Sequence, residues 1–536
     1  MTEQIISELE NAAGIIMAPP DVVTNEQRHA AESIFLEFRK SKSPYPICRE
    51  ILEKSQNHYV MFEAAEVLKV AIIREWSFLL ESDRVSLRQY LLQYITSRDV
   101  PPFVRDRILQ VIAIMVKRAS IDDNGRERAN ILQEVENLIV NAEHNKKILG
   151  CNIISNLMQE YATTVKSTDV GLPWEIHFKA KKQFESTDLK RIFQFCVYLL
   201  SEVVKSDPPY SDTMTQLTGL IGIYESVYQS DSAPSLKLTS SWSEIVFNPD
   251  LLPLMFQIYW KVRDIEQLAH HSLSCLVQLA SLSGAVVSSD EPRLKYLHSY
   301  LITFLNLISN VTIKNKESLG ISNIVRKLII FFIHDIPKLP EAIQDTLLDE
   351  FTRLTCHFCD GAALEELQPE DDTYFSDAFD NMLEAWTTII QEFGNSLDSS
   401  LVECSKRIFN KYVQCHLAPP DGCRQSNNGE VDDIEDNEDN DRIKFRDQLQ
   451  TMGVFGRVIP SHSLPVLYKL LEARIEKLVS HVQAMQSRAM NISEATSLEN
   501  LFEDVHWIIL ISGHVLCMDS DGETPHDPLR NHAVLH

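Results

Sequence analysis

A unit of two amphipathic helical stretches joined by a short polar turn recurs about every 40 residues, from Thr24 almost to Met518. A two-helix unit buries too little apolar surface to stand alone, so each must stack its Leu, Ile, Val and Phe side chains on its neighbours. The period therefore constrains the chain to a helical array. Breaks at Pro, Gly, Ser and Asn lay the units end to end. A first helix spans Glu26 to Arg39, and pairs begin near Tyr45 and Tyr59, Asp83 and Phe103, Arg126 and Lys146, and Asp188 and Tyr210. Further pairs begin near Asp250 and Ile265, Pro292 and Lys316, Glu341 and Thr373, Leu397 and Arg442, and Leu464 and Leu498. No stretch keeps the alternation of a half-buried strand for long. The expected fold is all-α, a right-handed superhelical α-solenoid of HEAT-like helix pairs.

Tyr59 to Trp76 shows the pattern best. Val60, Met61, Ala64, Ala65, Val67, Leu68, Ala71, Ile72 and Ile73 cover most of the circumference, leaving a polar stripe through Glu63, Glu66, Lys69 and Arg74. A helix apolar on so much of its surface is flanked on three sides. Ile108 to Val116 and Trp507 to Leu516 read the same way.

The longest apolar runs, such as Leu328 to Ile333, fall far short of the roughly 20 residues that cross a bilayer, so no membrane insertion is expected. Met1 to Glu10 carries acids in place of a basic segment followed by an apolar core, which argues against a secretory signal and for the cytosol or nucleus. The ten cysteines are then expected as reduced thiols, most of them within apolar helical stretches: Cys48, Cys151, Cys196, Cys275, Cys404 and Cys517. Cys356, His357 and Cys359, followed by Cys415, His416 and Cys423, lack the tight paired spacing of a structural zinc site. Packing at helix ends is the reading we adopt, with no metal and no cofactor expected.

Gly-rich phosphate loops, nucleophile elbows, zinc-protease helices and dinucleotide fingerprints are all missing, so no enzyme and no catalytic residues are expected. The formal net charge of −26 opposes binding to nucleic acid. One run concentrates that charge: Glu430, Asp432, Asp433, Glu435, Asp436, Glu438, Asp439 and Asp441, with no base until Arg442. Pro and Gly upstream make it a long loop, 419–441, inserted between two helices of one unit. It reads as a solvating segment or as a tether for a basic partner, which would speed encounter and fade with salt.

The stretch Ala31 to Tyr94, carrying AESIFLEFRKS, CREILEKS, YVMFEAAEVLKVAIIREW and LRQYLLQYI, resembles the N-terminal domain of the importin-β superfamily of nuclear transport receptors. The likeness extends through DLLPLMFQIYWKVR to SLENLFEDVHWIILISGHVLCMDSDGETP, and within that superfamily it points to the exportins. The resemblance implies domains at 25–95, 96–518 and a polar tail at 519–536. It implies a carrier that binds Ran-GTP and protein cargo, such as the hypusine-bearing translation factor, passes FG nucleoporins and shuttles between nucleus and cytoplasm. Ran contacts map onto Glu63, Glu66, Lys69 and Arg74. The alternative is a HEAT scaffold that organises a cytosolic complex without Ran dependence. Receptors of this type are roughly twice as long, and the tail 526–536 is polar and Pro-broken. A truncated or alternative product is therefore expected, self-associating through an apolar face left open behind Trp507 and Leu510.

Overall fold

The structure, a computed structural model, describes residues 2–141, 143–162, 173–205, 236–366, 373–393, 399–424, 437–485 and 492–517. The chain divides into two compact units, Met1–Ala233 and Pro234–His536.

Among the described residues the first unit holds nine helices: α1 Thr2–Ile16, α2 Asn25–Arg39, α3 Tyr45–Lys54, α4 His58–Glu75, α5 Glu81–Ser97, α6 Pro102–Asp123, α7 Arg126–Asn141, α8 His144–Ala162 and α9 Trp174–Lys205. Helix α1 was not anticipated. Its Ile6, Leu9, Ala12 and Ala13 are buried, and it packs on α2, α3 and α4 as the first hairpin partner of the array. Thr24 starts α2 through a capping box, its backbone amide donating to Gln27 Oε1 at 3.0 Å and its hydroxyl accepting from the Gln27 amide at 3.3 Å. Asn57 starts α4 by accepting the Tyr59 and Val60 amides at 3.0 and 3.3 Å. Helices α4, α6 and α8 stack in succession, each touching the next, while α3, α5 and α7 pack beside them. In α6 every residue from Ile108 to Val116 except Gln110 is buried. A fully buried aliphatic side chain contributes about 1.5–3 kcal/mol, and this layer supplies many of them.

Asp188 does not begin a helix. It lies inside α9, a single helix of 32 residues, because the two groups that would cap a new start are engaged elsewhere. The Thr187 hydroxyl donates back to the Gln183 carbonyl at 2.8 Å, and the Asp188 carboxylate is taken by Arg128 at 2.6 Å. Tyr210, the expected start of the partner helix, lies outside the described residues.

The second unit comprises α10 Ser243–Val246, α11 Leu251–Val262, α12 Glu266–Ala280, α13 Asp290–Ser309, α14 Asn315–Phe332, α15 Glu341–Glu365, α16 Tyr374–Phe393, α17 Ser399–His416, α18 Asn437–Lys444, α19 Arg446–Val458, α20 Pro460–Met485 and α21 Ile492–Leu516. Contacts run within each pair and to the next pair along the chain. One layer is α11, α13, α15, α17 and α20; the other is α12, α14, α16, α19 and α21. This two-layer stacking of consecutive hairpins is the α-solenoid arrangement that the repeat demanded. The one strand pairing among the described residues is short and parallel, Leu236–Lys237 on Leu282–Ser283.

Trp507 is buried, not open as expected. The exposed apolar side chains of α21 are Phe502 and Ile509, and Leu510 is intermediate. Cys517, expected in an apolar setting, is exposed. All ten cysteines are free thiols. No described helix is long and apolar enough to cross a membrane.

Candidate functional site

The four stripe residues on α4 are brought together, and all are engaged by neighbouring side chains. Glu63 is only 2% exposed, so it does not join a solvent-facing stripe. Arg39 grips it bidentately, Nε to Oε2 at 2.8 Å and Nη2 to Oε1 at 2.6 Å, and that hydrogen bond raises the guanidinium pKa further. Glu66 sits between Lys69 Nζ at 3.5 Å and Arg107 Nη1 at 2.9 Å. Arg74 donates to the Ser41 carbonyl and to Glu75, both at 2.6 Å. Burial alone would raise the Glu75 carboxyl, but hydrogen bonds from Arg74, Ser43 and Tyr45 hold it below the usual carboxylate range. Lys69 and Arg74 keep part of their surface in solvent, with side chains 26% and 40% exposed. This face therefore offers two cations braced by internal carboxylates.

Of the acidic run, Glu430, Asp432, Asp433, Glu435 and Asp436 lie outside the described residues. Its end is not a loop: Glu438, Asp439 and Asp441 fall on α18, whose basic residues Arg442 and Lys444 occupy the last turn. That helix borders a feature the sequence did not disclose. A cavity of about 760 Å³ opens between the C-terminal ends of α15 and α17, α18 and α21. Its aromatic wall is Tyr412, His416, Phe445 and Trp507, with the His416 ring 3.9 Å from Trp507 and 4.2 Å from Tyr412. Asp360, Glu366, Asp441 and Glu503 supply carboxylates, and Arg424 and Lys444 the nearby bases.

Burial raises the carboxyls of Glu366 and Asp441, even though Lys444 lies 3.2 Å from Glu366 and His506 Nε2 3.6 Å from Asp441. Acidic and aromatic walls together suit a cationic group, which the carboxylates attract and the ring faces accommodate. These residues span more than 140 positions of the chain, so no local motif announced them.

His416 is set within this wall. Its Nδ1–H donates to the Tyr412 carbonyl at 2.9 Å, while burial pushes the imidazole down to about 4 from its ordinary value. The unfolded chain then binds a proton near pH 6.5 that the folded chain refuses until about pH 4, so stability falls as pH drops through that window. We expect the wild type to lose on the order of 1 kcal/mol between pH 6.5 and 5 beyond what His416→Gln loses. Urea midpoints at the two pH values check this; equal losses in both proteins remove His416 as the cause.

Stacked helix pairs, with a braced cationic face in one unit and an acidic, aromatic cavity in the other, define a helical-repeat protein. The chain belongs to the Exportin-4 family, whose description matches residues 1–529. It is similar to Exportin-4 of Dictyostelium discoideum, 23% identical over 578 residues, covering 94% of this chain and 49% of that protein. It is also similar to Exportin-7-A of Xenopus laevis, 25% identical over 337 residues, covering 60% of this chain and 29% of that one. Ran-binding protein 16 of Drosophila melanogaster is 23% identical over 354 residues, covering 62% and 31%. The chain thus spans about half the length, or less, of these relatives.

Proposed function

We propose that this chain acts in nuclear export, as a carrier segment that binds Ran in its GTP form together with protein cargo. The observation that carries this reading is the family match, which runs over nearly the whole helical array rather than over one motif. The name of the Drosophila relative, Ran-binding protein 16, supports Ran as the partner. The half-buried Lys69 and the exposed Arg74, with Glu66 beside them, are the Ran contacts we propose on α4. Glu63, held inside by Arg39, acts there by fixing α4 against α2. The acidic and aromatic cavity takes a basic group from a partner protein. By resemblance the cargo is the hypusine-bearing translation factor, and passage between nucleus and cytoplasm runs through FG nucleoporins.

If Ran and cargo favour the same arrangement of the repeats, each raises the affinity for the other by the same factor, typically 1–3 kcal/mol of coupling. A pull-down with Ran loaded with GTP or GDP tests the reading. We expect capture of the GTP form only, and roughly tenfold weaker capture by the Lys69→Glu, Arg74→Glu double variant, since charge reversal at a docked interface costs over 1 kcal/mol. Equal capture of both nucleotide forms would reject the Ran-dependent reading.

A further inference from the structure

Three helix-end elements bring sulfur and oxygen ligands together on one side of the cavity. Asp360 comes from α15, Cys415 from the last turn of α17, and Cys423 from the segment that follows. Cys415 Sγ lies 3.5 Å from Asp360 Oδ1, and the ligand atoms of Asp360, Cys415 and Cys423 all lie within 4.8 Å of one another. We propose that Asp360, Cys415 and Cys423 form a zinc-binding site, with the fourth position left to water.

The dimensions fit. Zinc at about 2.3 Å from sulfur and about 2.0–2.2 Å from oxygen, in tetrahedral geometry, separates a sulfur and an oxygen ligand by about 3.5 Å. The Cys415–Asp360 edge already has that length, and the other two, no longer than 4.8 Å, need to close by about 1 Å at most. Thiolate-rich sets select zinc over magnesium or calcium, which take oxygen ligands. The segment carrying Cys423 is folded back before any metal arrives. The Cys423 amide donates to the Gln414 carbonyl at 2.9 Å, and Gly422 permits the return because a Cβ there would collide with the Gln414 and Leu417 carbonyl oxygens.

The two nearby histidines take no part, since His357 Nε2 faces the Ile313 carbonyl at 3.1 Å and His416 is turned into the aromatic wall. Lys411 Nζ sits 3.0 Å from Asp360 Oδ2 and 3.1 Å from Oδ1, so its ammonium offsets part of the ligand charge. Zinc binding takes up both cysteines as thiolates and clamps residues 417–424, the segment from which the acidic run departs, onto α15 and α17.

The test uses the full 536-residue chain, purified with reductant and dialysed, with zinc counted by plasma mass spectrometry. We expect about one zinc per chain, less than a tenth of that in Cys415→Ser and Cys423→Ser, and full retention in Cys356→Ser, whose thiol is turned toward the Arg407 carbonyl. Circular dichroism of the serine variants establishes that they fold. Independently of them, cobalt(II) added to chelator-treated wild type should give the intense near-ultraviolet bands of thiolate ligation. Substoichiometric zinc with no such bands overturns the proposal, as does zinc retained by Cys415→Ser, or a Cys415–Cys423 disulfide in place of the metal.

Discussion

Asp504→Ala should cost the second unit about 3–5 kcal/mol, among the largest losses any single substitution causes there. Asp504 is 4% exposed and Arg474 2%. Its carboxylate accepts from the Ala418 amide at 2.8 Å, from Arg424 Nη2 at 3.0 Å and from Arg474 Nε at 3.1 Å. One side chain on α21 therefore anchors α20, the segment after α17 and the backbone that leads toward the acidic run. Among the described residues, alanine leaves the buried Arg474 guanidinium with only Asp421 for a counter-charge and the Ala418 amide with no acceptor. Desolvation of the stranded groups, more than the lost attraction, sets the size of the effect. Thermal melting should shift down by about 10 °C, given roughly 2–4 °C per kcal/mol for a unit of this size. Asp504→Asn keeps one acceptor oxygen and should lose less. Melting within 2 °C or so of wild type for the alanine variant would remove this carboxylate as an anchor.

The first unit has a counterpart built around Arg128, which is 1% exposed. Arg128 on α7 donates from Nε to Asp188 of α9 at 2.6 Å, from Nη1 to the Tyr161 hydroxyl of α8 at 3.0 Å and from Nη2 to Thr187 at 3.1 Å. Tyr161 in turn donates to Ser120 of α6 at 2.9 Å and stacks on Phe184, with ring centroids 4.3 Å apart. Four successive helices thus meet at one buried cation. Asp188→Ala removes its only carboxylate among the described residues and should destabilise this unit by about 3–5 kcal/mol. Hydrogen exchange of α7 to α9 is the direct measurement, with amide protection there expected to fall by 100-fold or more while the second unit keeps its rates. Unchanged protection in α7 to α9 would show that Tyr161 and Thr187 hold the guanidinium without Asp188. Replacing Arg128 and Asp188 together by apolar side chains should recover much of the loss, because no buried charge is then left alone.

The helix pairs were legible because each depends on local patterning. Tyr45 and Tyr59, Arg126 and Lys146, and Lys316 fall within a few residues of observed helix starts, where the apolar spacing begins. Helix α1 escaped because its buried face, Ile6, Leu9, Ala12 and Ala13, depends on two alanines that carry little hydropathy signal. The misplaced start at Asp188 has the opposite cause, a good cap sequence overruled by a cation 60 residues away. The polar stripe of α4 shows the same limit: spacing put Glu63 on the polar edge, and only the Arg39 contact shows that it is buried.

By itself the sequence determined the repeat, the two-layer helical stacking and the family, since these follow from periodicities of a few residues summed over many units. Tertiary structure decided which charges are spent internally and which face solvent, and it assembled the cavity of Tyr412, His416, Phe445 and Trp507 with its flanking thiols. The physical reason is that burial and pairing belong to contacts between distant helices, and an amphipathic pattern states which side of a helix is buried without naming what it meets.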